Sequence, residues 1–224
     1  MRFAFLVFSV AVLAQVPFER IRDAAKEPGN WLTYSGNLQG HRHSALTELT
    51  PANVGNLKVK WAYQFPGVRN QTSPLVVDGV MYVTSPNRAA ALDAKTGREL
   101  WTWERPIPKD YQSIGFGRVN RGPAILGDKI FIATLDCYLV ALDLKTGQQR
   151  WAVKVEDYKP GYSMTLAPLA IKGKIVVGVS GGVEVDPAAK LSSDRYKTDQ
   201  YGDLEAGRAQ SIKTHAAPDL WWWD

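Results

Sequence analysis

Short runs of β-branched and aromatic residues recur along the middle of the chain, and the runs come in pairs fifty positions apart. Val-Met-Tyr-Val at 80–83 corresponds to Ile-Phe-Ile-Ala at 130–133. Residues of these types suit the pleated backbone of a sheet, so the pattern predicts strands at 80–83 and 130–132. A second short strand is predicted in each copy, at 89–92 and at 138–142.

Each second strand runs into an eleven-residue phrase that is repeated. Residues 91–101 read Ala-Leu-Asp-Ala-Lys-Thr-Gly-Arg-Glu-Leu-Trp, and residues 141–151 read Ala-Leu-Asp-Leu-Lys-Thr-Gly-Gln-Gln-Arg-Trp. The Asp-x-x-Thr-Gly part predicts a tight turn, because Asp and Thr side chains bond nearby backbone groups and Gly supplies a positive φ. A third strand is then predicted to end in Trp101 or Trp151.

The fifty-residue period predicts a repeat architecture. A small antiparallel sheet cannot bury both of its faces alone and needs neighbours of its own kind. Such sheets, arranged around an axis, form a β-propeller, in which only short, protected edges remain. The indole of each phrase is predicted to lie across the small Ala residue, between one blade and the next. The alternative, two unrelated hairpins with a similar turn, requires identities that include Ala, Asp, Lys, Thr, Gly and Trp to recur in register by chance.

Composition and charge add limits to this picture. The chain has 224 residues, enough for one domain of moderate size, and eight Trp residues fit one Trp per blade. The net charge is +5, but the basic residues are scattered, so no nucleic-acid-binding stripe is predicted. Cys137 is the single cysteine, which excludes an internal disulfide, and it is interpreted as a buried strand thiol.

The first fourteen residues resemble a secretory signal peptide. Arg2 precedes an apolar stretch that ends in small residues and is too short to span a bilayer comfortably. The alternative is a buried N-terminal strand. Residues 15–56 are predicted to lead into the propeller, with a short amphipathic helix at 18–26. A strand is predicted at 57–65, and about three blades are expected within residues 57–182.

Several further motifs indicate a particular family. They are Trp31-x-x-Tyr34, Arg42-His43-Ser44-x-Leu46, Asn53-Val54-x-x-Leu57, Val-Asn-Arg-Gly at 119–122, Gly-Tyr-Ser-Met-Thr at 161–165, and Ser-Gly-Gly at 180–182. Together with the repeated phrase, which matches the tryptophan-docking motif, they resemble the pyrroloquinoline quinone (PQQ)-dependent methanol/ethanol dehydrogenase family over residues 29–182. The resemblance implies an all-β fold, part of an eight-bladed propeller with the quinone in a central chamber.

The same resemblance implies a set of cofactor-binding residues. Arg121 matches the arginine that contacts the quinone, Thr165 and Ser180 match hydroxyl partners, and Gly181 and Gly182 match a loop that approaches the ring plane. Gln71 stands where many members carry Glu, and an amide can still bond the cofactor without bringing a charge. Asn120 is interpreted as structural. The cofactor list that follows is PQQ with Ca²⁺ or a lanthanide ion.

Two further places depart from the family pattern. Gly115 and Phe116 stand where many members carry adjacent cysteines, so the vicinal disulfide is absent. The metal-ligating Glu is expected at position 183, but Val183 is there and Glu184 follows one residue late. Along extended backbone a slip of one residue turns a side chain to the other face. Glu184 is nevertheless the predicted metal ligand.

By resemblance, the chain is the N-terminal portion of a periplasmic enzyme that oxidises primary alcohols and passes electrons to a cytochrome c-type acceptor. The segment that supplies the catalytic base in the family lies beyond the matched part, so no catalytic residue is predicted and the chain is expected to be inactive alone. Asp136 and Asp143 are interpreted as structural. The family also allows a homodimer.

Residues 183–224 match nothing in the pattern, and they are interpreted as a frameshifted, disordered or divergent tail. A second function class stays open at this point, a non-catalytic β-propeller that binds or scaffolds partners in the cell envelope. The cofactor motifs favour the enzyme, because a scaffold has no reason to keep them.

Overall fold

The computed structural model describes residues 15–65, 70–112 and 117–181. The predicted signal peptide at 1–14 and the predicted tail at 183–224 lie outside the described residues. No helix in these three ranges is both long enough and apolar enough to cross a membrane.

Antiparallel sheets are the main regular structure of the described chain. The first has four strands in chain order, β1 Leu75–Val77, β2 Val80–Ser85, β3 Arg88–Asp93 and β4 Glu99–Glu104. The second repeats this order with β5 Ala124–Leu126, β6 Lys129–Ala133, β7 Tyr138–Asp143 and β8 Gln149–Lys154. A third sheet has two strands in the described residues, β9 Leu169–Ile171 and β10 Lys174–Val176. The all-β partial propeller is confirmed, with two complete blades and one hairpin of a third.

The strands predicted from the repeat are present as β2, β3, β6 and β7. The third strand of each copy extends further than predicted, because it does not end at the tryptophan. Trp101 lies within β4, where Ala91 is its register partner, and the pairing continues to Arg88 opposite Glu104. The cross-strand ladder, rather than the end of the repeated phrase, therefore sets the end of the strand.

The predicted packing of the indole between blades is confirmed at Trp101. Its ring lies on the turn of the next blade, so closely that a Cβ on Gly147 would be 2.5 Å from Cε3. Its Nε1 donates a hydrogen bond of 3.2 Å to the carbonyl oxygen of Leu144. The side chain is only 8% exposed and joins the largest core cluster, which runs between the two complete sheets.

We call the Asp-x-x-Thr-Gly turns at 93–97 and 143–147, on which an indole lies, the docking turns. The Asp of a docking turn organises the backbone beneath the indole. Asp143 Oδ1 accepts hydrogen bonds from the backbone N–H groups of Lys145 and Thr146, and from the Thr146 hydroxyl. Burial acts to raise the pKa of Asp143, but the hydrogen bonds from Arg150 and Thr146 outweigh it and lower the pKa to about 2. Asp143 is therefore ionised in the folded turn at neutral pH.

The predicted strand at 57–65 is wrong, although its tryptophan behaves as the repeat requires. Trp61 covers Gly97 of the first blade as Trp101 covers Gly147, and its Nε1 donates to the Ala94 carbonyl over 3.2 Å. No described strand pairs with the backbone of 57–65. A strand is defined by its ladder of hydrogen bonds, and side-chain docking alone leaves this segment extended but unpaired.

The N-terminal segment contains the predicted short helix in two pieces, α1 Phe18–Arg22 and a 3₁₀ turn at Ala24–Lys26. Ile21 is fully buried in the core cluster. Arg20 pairs with Glu27 at 2.6 Å and with Asp78, in the turn after β1, at 2.8 Å. The helix is thereby tied to the docking-turn end of the first blade.

The contact between Trp101 and Gly147 predicts unequal costs for two glycine substitutions. Gly147 and Gly79 have φ of +71° and +82°, but a Cβ on Gly79 would have nothing within 4 Å. We expect Gly79→Ala to cost about 1 kcal/mol, the strain of the left-handed backbone. Gly147→Ala should cost a further ~1–3 kcal/mol, because the indole must move. Urea unfolding followed by tryptophan fluorescence measures both, and equal costs would contradict inter-blade docking.

The depressed pKa of Asp143 predicts an acid-sensitive contribution to stability. A carboxyl with a folded pKa of about 2 and an ordinary value of 3.8 stabilises the fold above that ordinary value, and the contribution is lost as the pH falls through about 2. In Asp143→Asn the amide keeps an acceptor for the turn but loses the charge. Its stability should therefore fall less than that of the wild type between these pH values, in urea unfolding at each pH. Glu48→Gln, at an exposed position outside the blades, is the control and should follow the wild type.

Candidate cofactor site

Three short segments that precede the innermost strands lie side by side. These lead-in segments are residues 71–74 before β1, 121–123 before β5 and 165–168 before β9. The Ser73 N–H donates to the Arg121 carbonyl over 2.9 Å, and the Arg121 N–H donates to the Thr165 carbonyl over 3.1 Å. Since β1 and β5 run away from the lead-in segments toward the first hairpin turns, the docking turns are at the opposite end of the blades. One end of the sheets is thus used for docking, and the other collects the predicted site residues.

Two of the predicted cofactor residues touch each other at this end. Arg121 Nη1 donates to Thr165 Oγ1 over 2.7 Å and to the Thr165 carbonyl over 3.2 Å. Thr165 is buried and Arg121 is half-buried. In the described ranges no other hydrogen bond of the guanidinium is found, so Nε and Nη2 keep donors for an acceptor outside these residues. The pair can present a fixed cation to a carboxylate or a carbonyl oxygen.

Ser180 and Gly181 pair with the segment at 161–163, which ends two residues before Thr165. Ser163 and Ser180 exchange backbone hydrogen bonds of 2.8 and 2.9 Å, and the Ser180 hydroxyl donates to the Ser163 carbonyl over 3.1 Å. Gly181 has φ of +102°, and a Cβ there would lie 2.1 Å from the carbonyl oxygen of Gly161. Only glycine fits this approach, which holds the loop against the backbone of Gly161.

Gln71 lies on the other side of Arg121, in an open cleft of about 620 Å³. Trp31, Tyr34 and Arg42 also line the cleft. The Arg42 guanidinium carbon is 5.8 Å from the centre of the Tyr34 ring, within the range of a cation–π contact. These three residues carried the family resemblance in the sequence, but only the structure places them next to Gln71.

Gly182 and Glu184 lie outside the described residues, as do Gly115 and Phe116. Among the residues that the structure describes, no group of three or more His, Cys, Asp or Glu could hold a metal ion. The assignment of Glu184 as metal ligand therefore stays a prediction.

The Asp136 carboxylate takes part in a contact between the two complete blades. It accepts hydrogen bonds from Asn87 Nδ2 at 2.9 Å and from Arg105 Nε at 2.7 Å, and its side chain is 2% exposed. The Arg105 guanidinium also covers the Tyr138 ring at 3.9 Å from its centre. A general base must reach the proton that it removes, and this carboxylate is enclosed by structural partners. Asp143 belongs to a docking turn at the far end of the blade, so both residues have the structural contacts expected from the sequence.

Cys137 is fully buried, as predicted, but it is not a strand residue. It lies in the turn between β6 and β7 with φ of +60°, a position that the repeat aligns with Asn87 at +55°. Burial raises the pKa of the Cys137 thiol to about 12. Residues 134–137 therefore form the turn rather than part of a strand, and the thiol is protonated at neutral pH.

The chemistry of this donor set fits a flat, carboxylated quinone. Arg121 offers a planar cation, and Thr165, Ser180 and Gln71 offer neutral polar groups. Gly181 lets its loop pack directly on the backbone of Gly161, next to the segment that carries Thr165. Together with the docked blades, this arrangement defines the class of quinoprotein-type β-propellers.

Comparison with known proteins identifies the family. The family model for the glucose/ethanol/alcohol dehydrogenase β-propeller domain with PQQ matches residues 31–191. The chain belongs to this family of PQQ-dependent dehydrogenases. The expectation drawn from the sequence motifs is confirmed at this level.

Individual relatives agree with this assignment. The quinoprotein alcohol dehydrogenase PedH of Pseudomonas putida is 40% identical over 79% of this chain and 30% of its own length. The 1-butanol dehydrogenase (cytochrome c) of Thauera butanivorans is 40% identical over 70% of this chain and 23% of its own length. A europium-containing methanol dehydrogenase superposes with a TM-score of 0.69 at 34% identity, over 73% of this chain and 29% of that one. The chain spans less than a third of the length of each.

The enclosure of Asp136 predicts a large cost for removing its partner. Arg105→Met leaves a buried carboxylate without its cation, and we expect a loss of roughly 3 kcal/mol in the free energy of unfolding. Arg88→Met is the matched control, because Arg88 pairs with Glu104 at 2.6 Å where the two side chains are 31% and 54% exposed. That change should cost less than about 1 kcal/mol. Similar losses in urea unfolding would contradict the structural role of Asp136.

Proposed function

We propose that this chain supplies part of the cofactor pocket of a PQQ-dependent dehydrogenase that oxidises primary alcohols. The observation that carries the proposal is the contact of Arg121 with Thr165, because it fixes a cation among the lead-in segments of three successive sheets. The names of the relatives support an alcohol as the substrate class. The chain's own residues support binding of an acidic, planar cofactor.

In this proposal each residue has a limited task. Arg121 binds a carboxylate or quinone oxygen through Nε and Nη2, while Thr165 holds Nη1 and so fixes the plane of the guanidinium. Ser180 offers its hydroxyl beside Gly181, and Gln71 reaches the ligand from the cleft. When bound, PQQ is the oxidant that takes two electrons from the alcohol. None of the described residues is assigned as the base that removes the alcohol proton.

The metal, the electron acceptor and the compartment belong to the same proposal. Gly182 and Glu184 are proposed to complete the pocket, with Glu184 as a ligand of Ca²⁺ or a lanthanide ion, the kinds of ion that prefer oxygen ligands. One relative is named for cytochrome c, which supports a cytochrome c-type acceptor. The predicted signal peptide at 1–14 supports a periplasmic location. A homodimer remains a proposal drawn from the family.

The proposal predicts that PQQ binding depends on Arg121 and not on surface charge. PQQ is titrated into the 224-residue chain with Ca²⁺ or La³⁺ present, and binding is followed by tryptophan fluorescence and by quinone absorbance. Arg121→Met should weaken binding by about 10- to 100-fold, the usual worth of a charge-assisted hydrogen bond. Arg98→Met removes the same charge at an exposed position near a docking turn, and it should leave the affinity unchanged.

Two results would count against the proposal. If the wild-type chain and the same chain joined to the rest of a full-length dehydrogenase both fail to bind PQQ, the non-catalytic scaffold becomes the better interpretation. If Arg98→Met weakens binding as much as Arg121→Met does, the quinone is held by overall charge rather than by this site.

A further inference from the structure

A chain of polar side chains, half-buried at Thr72 and buried at Thr84 and Asn120, runs from the first blade to the backbone of Arg121. Thr72 and Thr84 have their hydroxyl oxygens 2.9 Å apart, and the Thr84 hydroxyl donates to Asn120 Oδ1 over 2.6 Å. Asn120 Oδ1 also accepts the N–H of Gly122 at 2.9 Å, and its Nδ2 donates to the Ala133 carbonyl at 2.9 Å. Thr84 is fully buried and Asn120 is 2% exposed.

The partners determine the direction of every bond in this chain. The Gly122 N–H can only donate, so the atom that it meets on Asn120 is the amide oxygen. That oxygen can only accept, so the Thr84 hydroxyl must donate to it and accept from the Thr72 hydroxyl. Thr72 in turn accepts from the Thr84 N–H at 3.3 Å. Each member thus has one arrangement, and removing Asn120 leaves the buried Thr84 hydroxyl and the Gly122 N–H without their shared acceptor.

This chain fixes the backbone on both sides of the Arg121 Cα atom. Arg121 bonds Ser73 through its carbonyl and Thr165 through its N–H, while Asn120 ties down the next peptide through Gly122. Gly122 has φ of +135°, and a Cβ there would lie 2.9 Å from the Ser73 carbonyl oxygen. The first blade leaves no room for a side chain at Gly122, and the peptide cannot move away from it without breaking buried hydrogen bonds.

We propose that Asn120, oriented by Thr84 and Thr72, is the positioning residue that aims the Arg121 guanidinium at an acidic ligand of the site. The inference rests on the proposed function for the identity of that ligand, the carboxylated quinone. The geometry of Arg121 can be measured without the ligand, so the two can be tested separately. Asn120 is thereby assigned a role in ligand binding in addition to its structural one.

A matched residue separates positioning from general support of the fold. Asn87 is 1% exposed and also links the two complete blades, through Asp136 at 2.9 Å and the Leu135 N–H at 2.8 Å. It makes no hydrogen bond to residues 120–122 within the described part of the chain. Asn87→Ala therefore removes a buried amide between the same blades without touching the support of Arg121.

The first experiment uses the 224-residue chain and the Nε–H NMR signal of Arg121, identified by its loss in Arg121→Lys. Thr84→Val keeps the shape of the side chain but removes the donor, and both it and Asn120→Ala should shift or broaden this signal. They should also weaken PQQ binding by about tenfold, as removal of supporting partners does at other sites. Thr84→Ser restores the hydroxyl and should restore both readouts, and Asn87→Ala should leave the Arg121 signal in place.

A second experiment uses pH as a signature that a purely structural role at Asn120 would not give. In Asn120→Asp the neutral carboxylic acid can still accept from Thr84 and Gly122 and donate to the Ala133 carbonyl. The ionised form has no donor and faces that carbonyl with a negative charge. PQQ affinity of this variant, relative to the wild type at each pH, should fall as the pH rises through the pKa of the new carboxyl.

The outcomes decide the inference whether or not PQQ binds. An unmoved Arg121 signal in folded Thr84→Val and Asn120→Ala overturns it, and so does an equal shift in Asn87→Ala. If the wild type does not bind PQQ, the proposed function fails, while the NMR signal still decides whether Asn120 positions Arg121. If PQQ binds and all variants bind equally well, the function stands and the positioning role does not.

Discussion

An indole packed on a bare glycine peptide is the contact on which the rest of this structure depends. Trp101 fills the space between its own partner, Ala91, and the turn at Gly147, so it touches two blades at once. The contact leaves no room for a side chain at Gly147. The one polar atom of the indole, Nε1, donates to the Leu144 carbonyl. A four-stranded sheet of this size gains little stability alone, and this contact gives it a neighbour at a fixed distance.

Docking of Trp101 sets the distance between the two complete blades at one end, and polar contacts join the blades at the other end. There Asn87, Asp136 and Arg105 join the same two blades through buried hydrogen bonds. Apolar packing fixes how far apart the sheets lie but resists sliding weakly, whereas directional hydrogen bonds fix the register. The candidate site needs both, because Gln71, Arg121 and Thr165 come from the segments before three different innermost strands. A change in the spacing of the two complete blades by the length of one hydrogen bond would separate the Ser73 N–H from the Arg121 carbonyl.

Sequence was sufficient where the determining interactions are local. The Asp-x-x-Thr-Gly turn at 143–147 depends on side chains within a few residues of one another, and it formed as expected. The strand at 57–65 was wrong because a strand depends on a neighbour, which no local pattern can supply. Arg121 was found through family motifs, but its contact with Thr165 joins positions 44 residues apart. The support from Thr84 and Asn120 was missed for the same reason, since buried hydroxyls leave no periodic signal.

The docking rule can also be applied to the outer tryptophans of the described sheets, Trp61 and Trp151. Trp61 covers Gly97 on the first blade as Trp101 covers Gly147 on the second, so the segment 57–65 lies where the last strand of a preceding blade would lie. Five apolar side chains just before and within it are about half exposed or more, namely Leu46, Leu49, Val54, Leu57 and Val59. Trp151 is only half-buried, and none of the described residues provides a docking turn beneath it. Among the described residues the docking rule is therefore satisfied at Trp61 and Trp101, and it is not satisfied at Trp151.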